Sequence, residues 1–299
     1  MLKRLLKLTA FALTLINIAG CAFVVWLCHQ QALIFAYPPR QIAQNTPGDF
    51  EINDWRNVQF ATRDELTLQG WYIPPDEGSS SILFVHGHGG NRAQLLAVAA
   101  WLSSEEYGAL LFDLRNHGTS EGDVTSMGLL ETEDVLAAFH FLQAQAEVDP
   151  ERIGIYGVSM GGTAAIRALS QLPQVQALII ESTYADITGV IAEGITTRTG
   201  LPGFPFAPVI TWMTGNLAEA SLFNLHLTDA VAQIAPRPLL ILHGTADPLI
   251  PVTQAQVLYE AAGDPKEIHI VQDGVHGGLR AVNPESYDQH VLNFIRRYL

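Results

Sequence analysis

Short apolar runs alternate with segments of helical periodicity over most of the chain. Four such runs are Ile82–Val85, Leu110–Phe112, Val175–Ile180 and Pro238–Leu242. Runs of this length are typical of strands buried on both faces, and their alternation with helices favours a mostly parallel sheet covered on both sides. The pattern therefore predicts an α/β fold over residues 58–299.

The N-terminal segment has a different pattern. Three basic residues precede the run from Leu8 to Cys28, which contains 21 residues and no charge. As a helix, this run would span roughly 30 Å, the thickness of the hydrocarbon core of a bilayer. We therefore predict a membrane anchor at residues 1–28 and a membrane-proximal segment at 29–57, followed by one catalytic domain.

Two forms of N-terminal processing compete with an uncleaved anchor. A signal peptide has a shorter apolar region and a small-residue cleavage site, and no such site is clear here. The stretch Ile18–Cys21 resembles a bacterial lipobox, with cleavage before Cys21 and lipid on its sulfur. However, the apolar stretch Ala22–Leu27 continues past this site. We favour an uncleaved anchor, and lipidation at Cys21 stays open as the alternative.

The flanks of the apolar run predict its orientation. The N-terminal flank has three basic residues, whereas Arg40 is the one basic residue in the dozen residues that follow Cys28. By the positive-inside rule, the N-terminus lies in the cytoplasm and the catalytic domain on the outer side, periplasmic or extracellular. Trp26, Phe35 and Tyr37 are expected to form an interfacial belt.

Composition narrows the possible partners. Lys3, Arg4 and Lys7 are three of the 16 basic residues, so 13 basic residues face 30 acidic ones in the remainder, a net charge of −17. Such acidity disfavours nucleic-acid binding, because a polyanion is repelled by a net negative surface. The two cysteines, Cys21 and Cys28, both lie in the N-terminal segment. Disulfides and thiolate metal sites are therefore not expected in the catalytic part.

A G-x-S-x-G signature at Gly157–Gly161 is the most informative motif. The apolar stretch Arg152–Tyr156 leads into it, and the helix-compatible stretch Gly162–Leu169 follows it. A sharp turn between a strand and a helix exposes the serine side chain in a cleft, and the small neighbours permit a strained backbone. A serine hydroxyl also needs a base, an acid that orients the base, and donors for an oxyanion.

In this motif and its context the chain resembles the alpha/beta hydrolases. The resemblance covers about residues 58–299 and extends to the membrane-anchored serine hydrolases, the branch with serine aminopeptidases and depalmitoylases. It includes a D-x-R-G-x-G-x-S-like stretch from Asp113 to Ser120, in which Asn116 replaces the usual glycine. Asn tolerates positive φ comparatively well, so this difference is mild. The resemblance implies a nucleophile at Ser159, then an acid, then a histidine.

Asp247 is the predicted acid. It lies in an H-G-x-x-D-x-x-x-P stretch just past a core strand, where open parallel sheets carry functional groups. A helix N-cap is the alternative role for this residue. Glu181, at the end of another strand, is an alternative acid because some relatives use a carboxylate there. Asp113 is an alternative by position, but it precedes Ser159 in the chain and is expected to be structural.

His276 is the predicted base. Among the ten histidines, it follows both Ser159 and Asp247 and lies in a loop after a strand. His243 and His269 lie in or against predicted strands and are expected to be structural. The resemblance implies that the backbone N–H groups of Met160 and His88 hold the oxyanion, the latter in the H-G-x-G-G-like loop after the third strand. The direction of the His88 side chain is left open.

An insertion at about residues 185–235 precedes the acid strand and is too long for a simple loop. We predict that it forms a helical cap, with helices at 187–197 and 208–213 and a third around 217–227. Phe204, Phe206 and Trp212 are candidates to line an acyl pocket or to touch the bilayer, although each could simply pack the cap onto the sheet.

The sequence thus predicts a membrane-anchored serine hydrolase that cleaves esters or thioesters through an acyl-enzyme, with no metal or organic cofactor. Its substrate would be a small or lipid-like acyl compound. A serine peptidase and an idle hydrolase-fold binding protein are the alternatives. The physiological substrate, the acyl length, the oligomeric state and the movement of the cap stay open at this level.

Overall fold

A computed structural model describes residues 2–299 and contains one eight-stranded sheet. The strands are β1 (Arg56–Ala61), β2 (Thr67–Ile73), β3 (Ser81–Val85), β4 (Gly108–Phe112), β5 (Ile153–Val158), β6 (Ala177–Glu181), β7 (Leu239–Gly244) and β8 (Lys266–Val271). The helices are α1 (Leu2–Ala36), α2 (Leu96–Ser103), α3 (Glu131–Gln143), α4 (Met160–Ala168), α5 (Ile187–Thr199), α6 (Phe206–Leu217), α7 (Leu227–Ala232), α8 (Val252–Ala261), α9 (Leu279–Val282) and α10 (Pro284–Tyr298). Short 3₁₀ turns occupy Pro47–Phe50, Leu169–Gln171 and Leu222–Asn224.

The strand order is β1-β2-β4-β3-β5-β6-β7-β8. The pairs β1–β2 and β2–β4 are antiparallel, whereas every pair from β4 through β3 to β8 is parallel. This order is that of an alpha/beta hydrolase sheet, so the predicted fold class is confirmed. The carboxyl ends of β3, β5, β6 and β7 lie side by side at one edge of the sheet, where ligand sites of parallel sheets form.

Two apolar layers enclose the sheet. The central strands β3, β4, β5 and β7 are buried along their whole length, as their continuous apolar sequences predict. One layer contains α2, α9 and α10, and the other contains α3, α4, α7 and α8 together with part of the cap. The core therefore lies on both faces of the sheet and holds the strand ends rigidly.

The helix α1 is, by length and composition, long and apolar enough to cross a membrane, with a mean hydropathy of 2.2. A signal sequence near the N-terminus would have the same properties. The helix does not end at residue 28, the predicted end of the anchor, but continues without a break to Ala36. It packs against α6, and its buried residues Cys28, Ala32 and Ala36 lie in its last turns.

The insertion before β7 carries α5, α6 and α7. Asp186 caps α5 by accepting hydrogen bonds from the N–H groups of Thr188 and Gly189, and Gly200 ends this helix in the left-handed region. The third cap helix begins at Leu227, the residue at which the sequence predicted its end. Together, α5 and α6 cover the carboxyl edge of the sheet.

Candidate active site

Ser159 lies in the sharp turn between β5 and α4. Its backbone has φ 53° and ψ −120°, a conformation that costs a non-glycine residue about 1–3 kcal/mol. The N–H of Ser159 donates to the Glu181 carbonyl at 2.8 Å, and its carbonyl accepts from the Thr163 N–H at 3.1 Å. These bonds tie the turn to the next strand and to the first turn of α4. The strained serine is thus held above the end of the sheet.

Close packing explains the glycines on either side of Ser159. A Cβ on Gly161 would lie 2.3 Å from the Val85 carbonyl oxygen, and one on Gly157 would lie 2.7 Å from the Gly162 Cα. Neither position has room for a side chain. A Cβ on Gly87 would lie 3.2 Å from the Ser159 Cβ, so the loop after β3 passes directly beside the serine.

His276 and Asp247 form a hydrogen-bonded pair. His276 Nδ1 lies 2.8 Å from Asp247 Oδ2, and the other carboxylate oxygen accepts from the N–H groups of Leu249 and Ile250, each at 2.9 Å. Burial raises the pKa of Asp247, but the hydrogen bond from His276 and the two backbone donors outweigh it and leave the pKa below its usual value. Asp247 is therefore a buried, ionised carboxylate that orients the imidazole.

The alternative acid, Glu181, has other partners. Its carboxylate accepts hydrogen bonds from the hydroxyls of Tyr156 and Tyr287 and lies 3.4 Å from the Leu279 N–H. Burial raises the pKa of Glu181 despite these bonds. His243, a buried residue of β7, binds the Ile250 carbonyl at 2.9 Å. Glu181 therefore supports the segment after β8 that carries His276, and His243 supports the loop after β7 that carries Asp247.

The loop His86–Gly90 leaves two backbone donors without a protein acceptor. The N–H of Gly87 donates to Gln94 Oε1 at 2.8 Å, that of Gly89 to His117 Nε2 at 3.0 Å, and that of Gly90 to the Gly87 carbonyl at 3.1 Å. Among the described residues, no acceptor is found for the N–H groups of His86 and His88. Of these two residues, His88 also lines the cavity that contains Ser159.

Three neutral histidines hold this loop. Their pKa values are all lowered by burial, and we call them the three loop histidines: His86, His88 and His117. His86 Nε2 accepts from the Leu114 N–H at 3.0 Å, and His117 accepts from Gly89, so both rings must be unprotonated at Nε2. His88 Nε2 donates to the Phe35 carbonyl at 2.9 Å, which answers the open question of its direction.

A cavity of about 560 Å³ lies in front of Ser159 and His276. Gly87, His88 and Gln94 line its polar end. Most of its wall is apolar. The apolar residues that the cap contributes are Ile187, Val190, Ile191, Ile195, Leu201, Phe206 and Ile210. Among the three aromatic residues predicted to line an acyl pocket or touch the bilayer, Phe206 lines the cavity. Phe204 and Trp212 are exposed on the surface of the cap.

Several cavity residues had no sequence signal. Gln94, four residues after Gly90, fixes the loop after β3 by accepting a hydrogen bond from the Gly87 N–H. Leu27, Cys28, Gln31 and Phe35 belong to α1, yet they line the same cavity. The Phe35 ring, which the sequence analysis assigned to an interfacial belt, lies 6.0 Å from the His88 ring. Only the docking of α1 against the catalytic part reveals this wall.

The supporting turn after β4 follows the sequence prediction. The Asp113 carboxylate accepts from the N–H groups of Arg92 and Thr119, at 2.7 and 2.9 Å. This residue therefore ties two loops together and lies outside the hydrogen bonds of the His276–Asp247 pair. Asn116 has φ 58°, a left-handed conformation that asparagine adopts more readily than most other non-glycine residues.

Comparison with known proteins places this geometry in a family. Residues 124–299, more than half of the chain, match the model of the prolyl oligopeptidase family. The chain belongs to the prolyl oligopeptidase family. It is similar to the uncharacterized protein YfhR of Escherichia coli O157:H7, with 29% identity over 92% of this chain and 90% of the relative. An uncharacterized Mycobacterium tuberculosis protein is 28% identical over 100% of this chain and 96% of its own length.

Among solved structures, the chain is similar to the Pyrococcus furiosus esterase Pf2001. The TM-score is 0.73 at 27% identity, over 88% of this chain and 98% of the esterase. Fold, family and structural similarity agree on the alpha/beta hydrolase superfamily. The chain is a serine hydrolase of this fold.

Proposed function

We propose that the protein is a membrane-anchored serine hydrolase that cleaves carboxylic esters or thioesters with a lipophilic acyl group. The observation that carries the proposal is the cavity. Its polar end contains Ser159 and His276, and the rest of its wall is largely aliphatic and aromatic. Such a wall stabilises an acyl chain by removing apolar surface from water, at about 25 cal/mol per Å². The similarity to an archaeal esterase supports the same reaction class.

In the proposed reaction, Ser159 Oγ attacks the carbonyl carbon of the substrate. His276 takes the hydroxyl proton and later gives it to the leaving alcohol or thiol, while Asp247 holds the imidazole in the tautomer that accepts at Nε2. Water then attacks the acyl-enzyme with the same base. The 2.8 Å contact between His276 Nδ1 and Asp247 supports these roles.

The oxyanion would be held by the N–H groups of His88 and Met160. The His88 N–H is an unpaired donor of the loop beside Ser159, and Met160 is the first residue of α4. The first N–H groups of a helix have no acceptor within it, and the helix dipole places partial positive charge there. Two such donors typically lower the barrier by several kcal/mol because they are already oriented.

The membrane attachment is part of the proposal. The uncharged run of α1 would cross the bilayer uncleaved, with the basic N-terminus in the cytoplasm and the catalytic part on the outer side. Lipidation at Cys21 is the alternative mode. The intact mass of the purified protein separates the two, because lipoprotein processing would remove residues 1–20.

A serine peptidase is the second candidate, and the family match favours it. An aminopeptidase site needs a carboxylate for the substrate amine. Among the described residues that line the cavity, none is Asp or Glu, and Arg198 has the opposite charge. We therefore favour esters. A panel of aminoacyl nitroanilides tests this choice, since a peptidase would cleave them and the proposed esterase would not.

The direct test is labelling with a fluorophosphonate, which reacts with activated serines. The full-length protein in membranes should be labelled, whereas Ser159→Ala should not be, and p-nitrophenyl ester hydrolysis should fall by orders of magnitude. Ser170→Ala, at an exposed serine outside the cavity, is the matched control and should be labelled like the wild type. A labelled and active Ser159→Ala variant would rule out the mechanism.

A further inference from the structure

The last turns of α1 belong to the catalytic part of the molecule. Most of the helix is exposed, but Cys28, Ala32 and Ala36, spaced by four residues, are at most 3% exposed. Residues four apart lie on one face of a helix, so this face is docked. The neighbouring stripe of Leu27, Gln31 and Phe35 follows the same spacing and lines the cavity in front of Ser159.

The active-site loops satisfy the carbonyl groups at the end of α1. A helix leaves its last four carbonyls without partners. Here the Phe35 carbonyl accepts from His88 Nε2 at 2.9 Å, and the Ala36 carbonyl accepts from the Thr125 N–H at 2.8 Å and from Asn116 Nδ2 at 3.3 Å. The same residue, His88, supplies the proposed oxyanion N–H, so the end of α1 is linked to the proposed oxyanion site through the His88 side chain.

The mouth of the cavity lies beside this helix. Leu27 and Gln31 are cavity residues that are also exposed, as are Arg198, Thr199 and Leu201 at the end of α5. The apolar run from Leu8 to Cys28 is about as long as the hydrocarbon core is thick. In the membrane orientation proposed above, the cavity opens where α1 leaves the hydrocarbon.

We propose that residues 27–36 of the membrane helix are a functional part of the active site. They form one wall of the acyl cavity, and the Phe35 carbonyl positions the oxyanion loop through the His88 ring. The cavity consequently takes the acyl chain of an ester that resides in the bilayer, entering along α1. This inference rests on the proposed hydrolysis of acyl esters and assigns its substrate to the membrane.

The first test makes the cavity narrower by placing larger side chains on the wall that α1 contributes. Cys28→Trp and Gln31→Trp, in the full chain in nanodiscs, are compared with Ile34→Trp, whose side chain lies on the exposed side of the same helix. Each cavity variant should lower kcat/KM for p-nitrophenyl palmitate at least tenfold more than that for p-nitrophenyl acetate. The Ile34→Trp variant should keep the wild-type ratio. Gln31 is exposed, so this variant keeps the test valid if Cys28→Trp does not fold.

The second test concerns the positioning contact. His88→Phe removes the donor to Phe35 at similar volume, and His88→Gln retains an N–H donor at nearly the same reach. The Phe variant should lose at least tenfold in kcat with little change in KM, and the Gln variant should recover most of it. A purely structural role of the ring would lower stability without this kcat-specific loss and recovery.

The outcomes separate the inference from the function on which it rests. A wild-type protein without fluorophosphonate labelling or ester hydrolysis would remove the proposed function itself. Suppose that the wild type is active and that the Trp variants at 28 and 31 fold. If these variants keep the wild-type preference for chain length, α1 does not form a wall of the acyl cavity. Full kcat in His88→Phe would overturn the positioning contact.

Discussion

The sharpest prediction concerns Asp247→Asn. In the wild type, one carboxylate oxygen accepts from His276, and the other accepts from the N–H groups of Leu249 and Ile250. The amide of Asn has one acceptor and one donor end. The two backbone donors will bind its oxygen, so the NH₂ group will face His276 Nδ1. His276 must then accept at Nδ1 and carry its proton at Nε2, where it cannot take the proton of Ser159.

The size of the effect follows from these bonds. In the orientation that allows catalysis, the amide oxygen accepts from His276 Nδ1 and the NH₂ group faces the backbone. This orientation leaves the N–H groups of Leu249 and Ile250 without acceptors, which costs about 1–3 kcal/mol for each group. Only about one molecule in 30 to one in 10⁴ would adopt it, because each 1.4 kcal/mol is a factor of ten. We therefore expect kcat to fall by about 30-fold to 10⁴-fold, a range whose upper end matches the loss found when the orienting Asp of a serine protease is replaced by Asn.

The assay is kcat for p-nitrophenyl butyrate together with the rate of fluorophosphonate labelling, with thermal melting as the check on folding. Glu181→Gln is the matched control, since Glu181 binds Tyr156 and Tyr287 and lies outside the His276 pair. It should lower the melting temperature but reduce kcat by less than about tenfold. If Asp247→Asn kept more than about a tenth of the activity while Glu181→Gln lost it, the acid would be Glu181.

Two further predictions concern stability. Gly161→Ala should lower the free energy of unfolding by about 3 kcal/mol or more, because the new Cβ would lie 2.3 Å from the Val85 carbonyl oxygen. Gly194→Ala, whose new Cβ would have its nearest neighbour at 4.0 Å, should raise it by about 0.5–1 kcal/mol. Chemical denaturation measures both values, and equal stabilities of the two variants would contradict the packing argument. Stability should also fall on acidification. The three loop histidines have folded pKa values below the unfolded value of about 6.5, so the unfolded chain binds more protons, and the loss should begin near pH 6.5 and continue towards the folded values. A melting temperature that is flat between pH 7 and pH 5 would contradict it.

The fold was readable from the sequence because its determinants are local. Continuous apolar runs specify strands that are buried on both faces, and the turn between β5 and α4 is marked by a motif of five consecutive residues. The strained φ of Ser159 and the left-handed Asn116 agree with this local reading. The motif order led to Asp247 and His276, and the structure brings them into contact, although they are separated by an entire helix and strand.

What the sequence could not determine depends on packing between distant segments. The apolar run of α1 has the same composition whether it lies wholly in a bilayer or docks its last turns on a protein. Its hydrophobic pattern therefore predicted an anchor and an interfacial Phe35, and nothing in it indicated the contact with His88. Gln94 likewise has no local signature, since its role arises only where its side chain meets Gly87. Local sequence thus determined the strands and the serine turn, and the tertiary structure alone decided what surrounds the serine, because those contacts join segments that have no short-range constraint on one another.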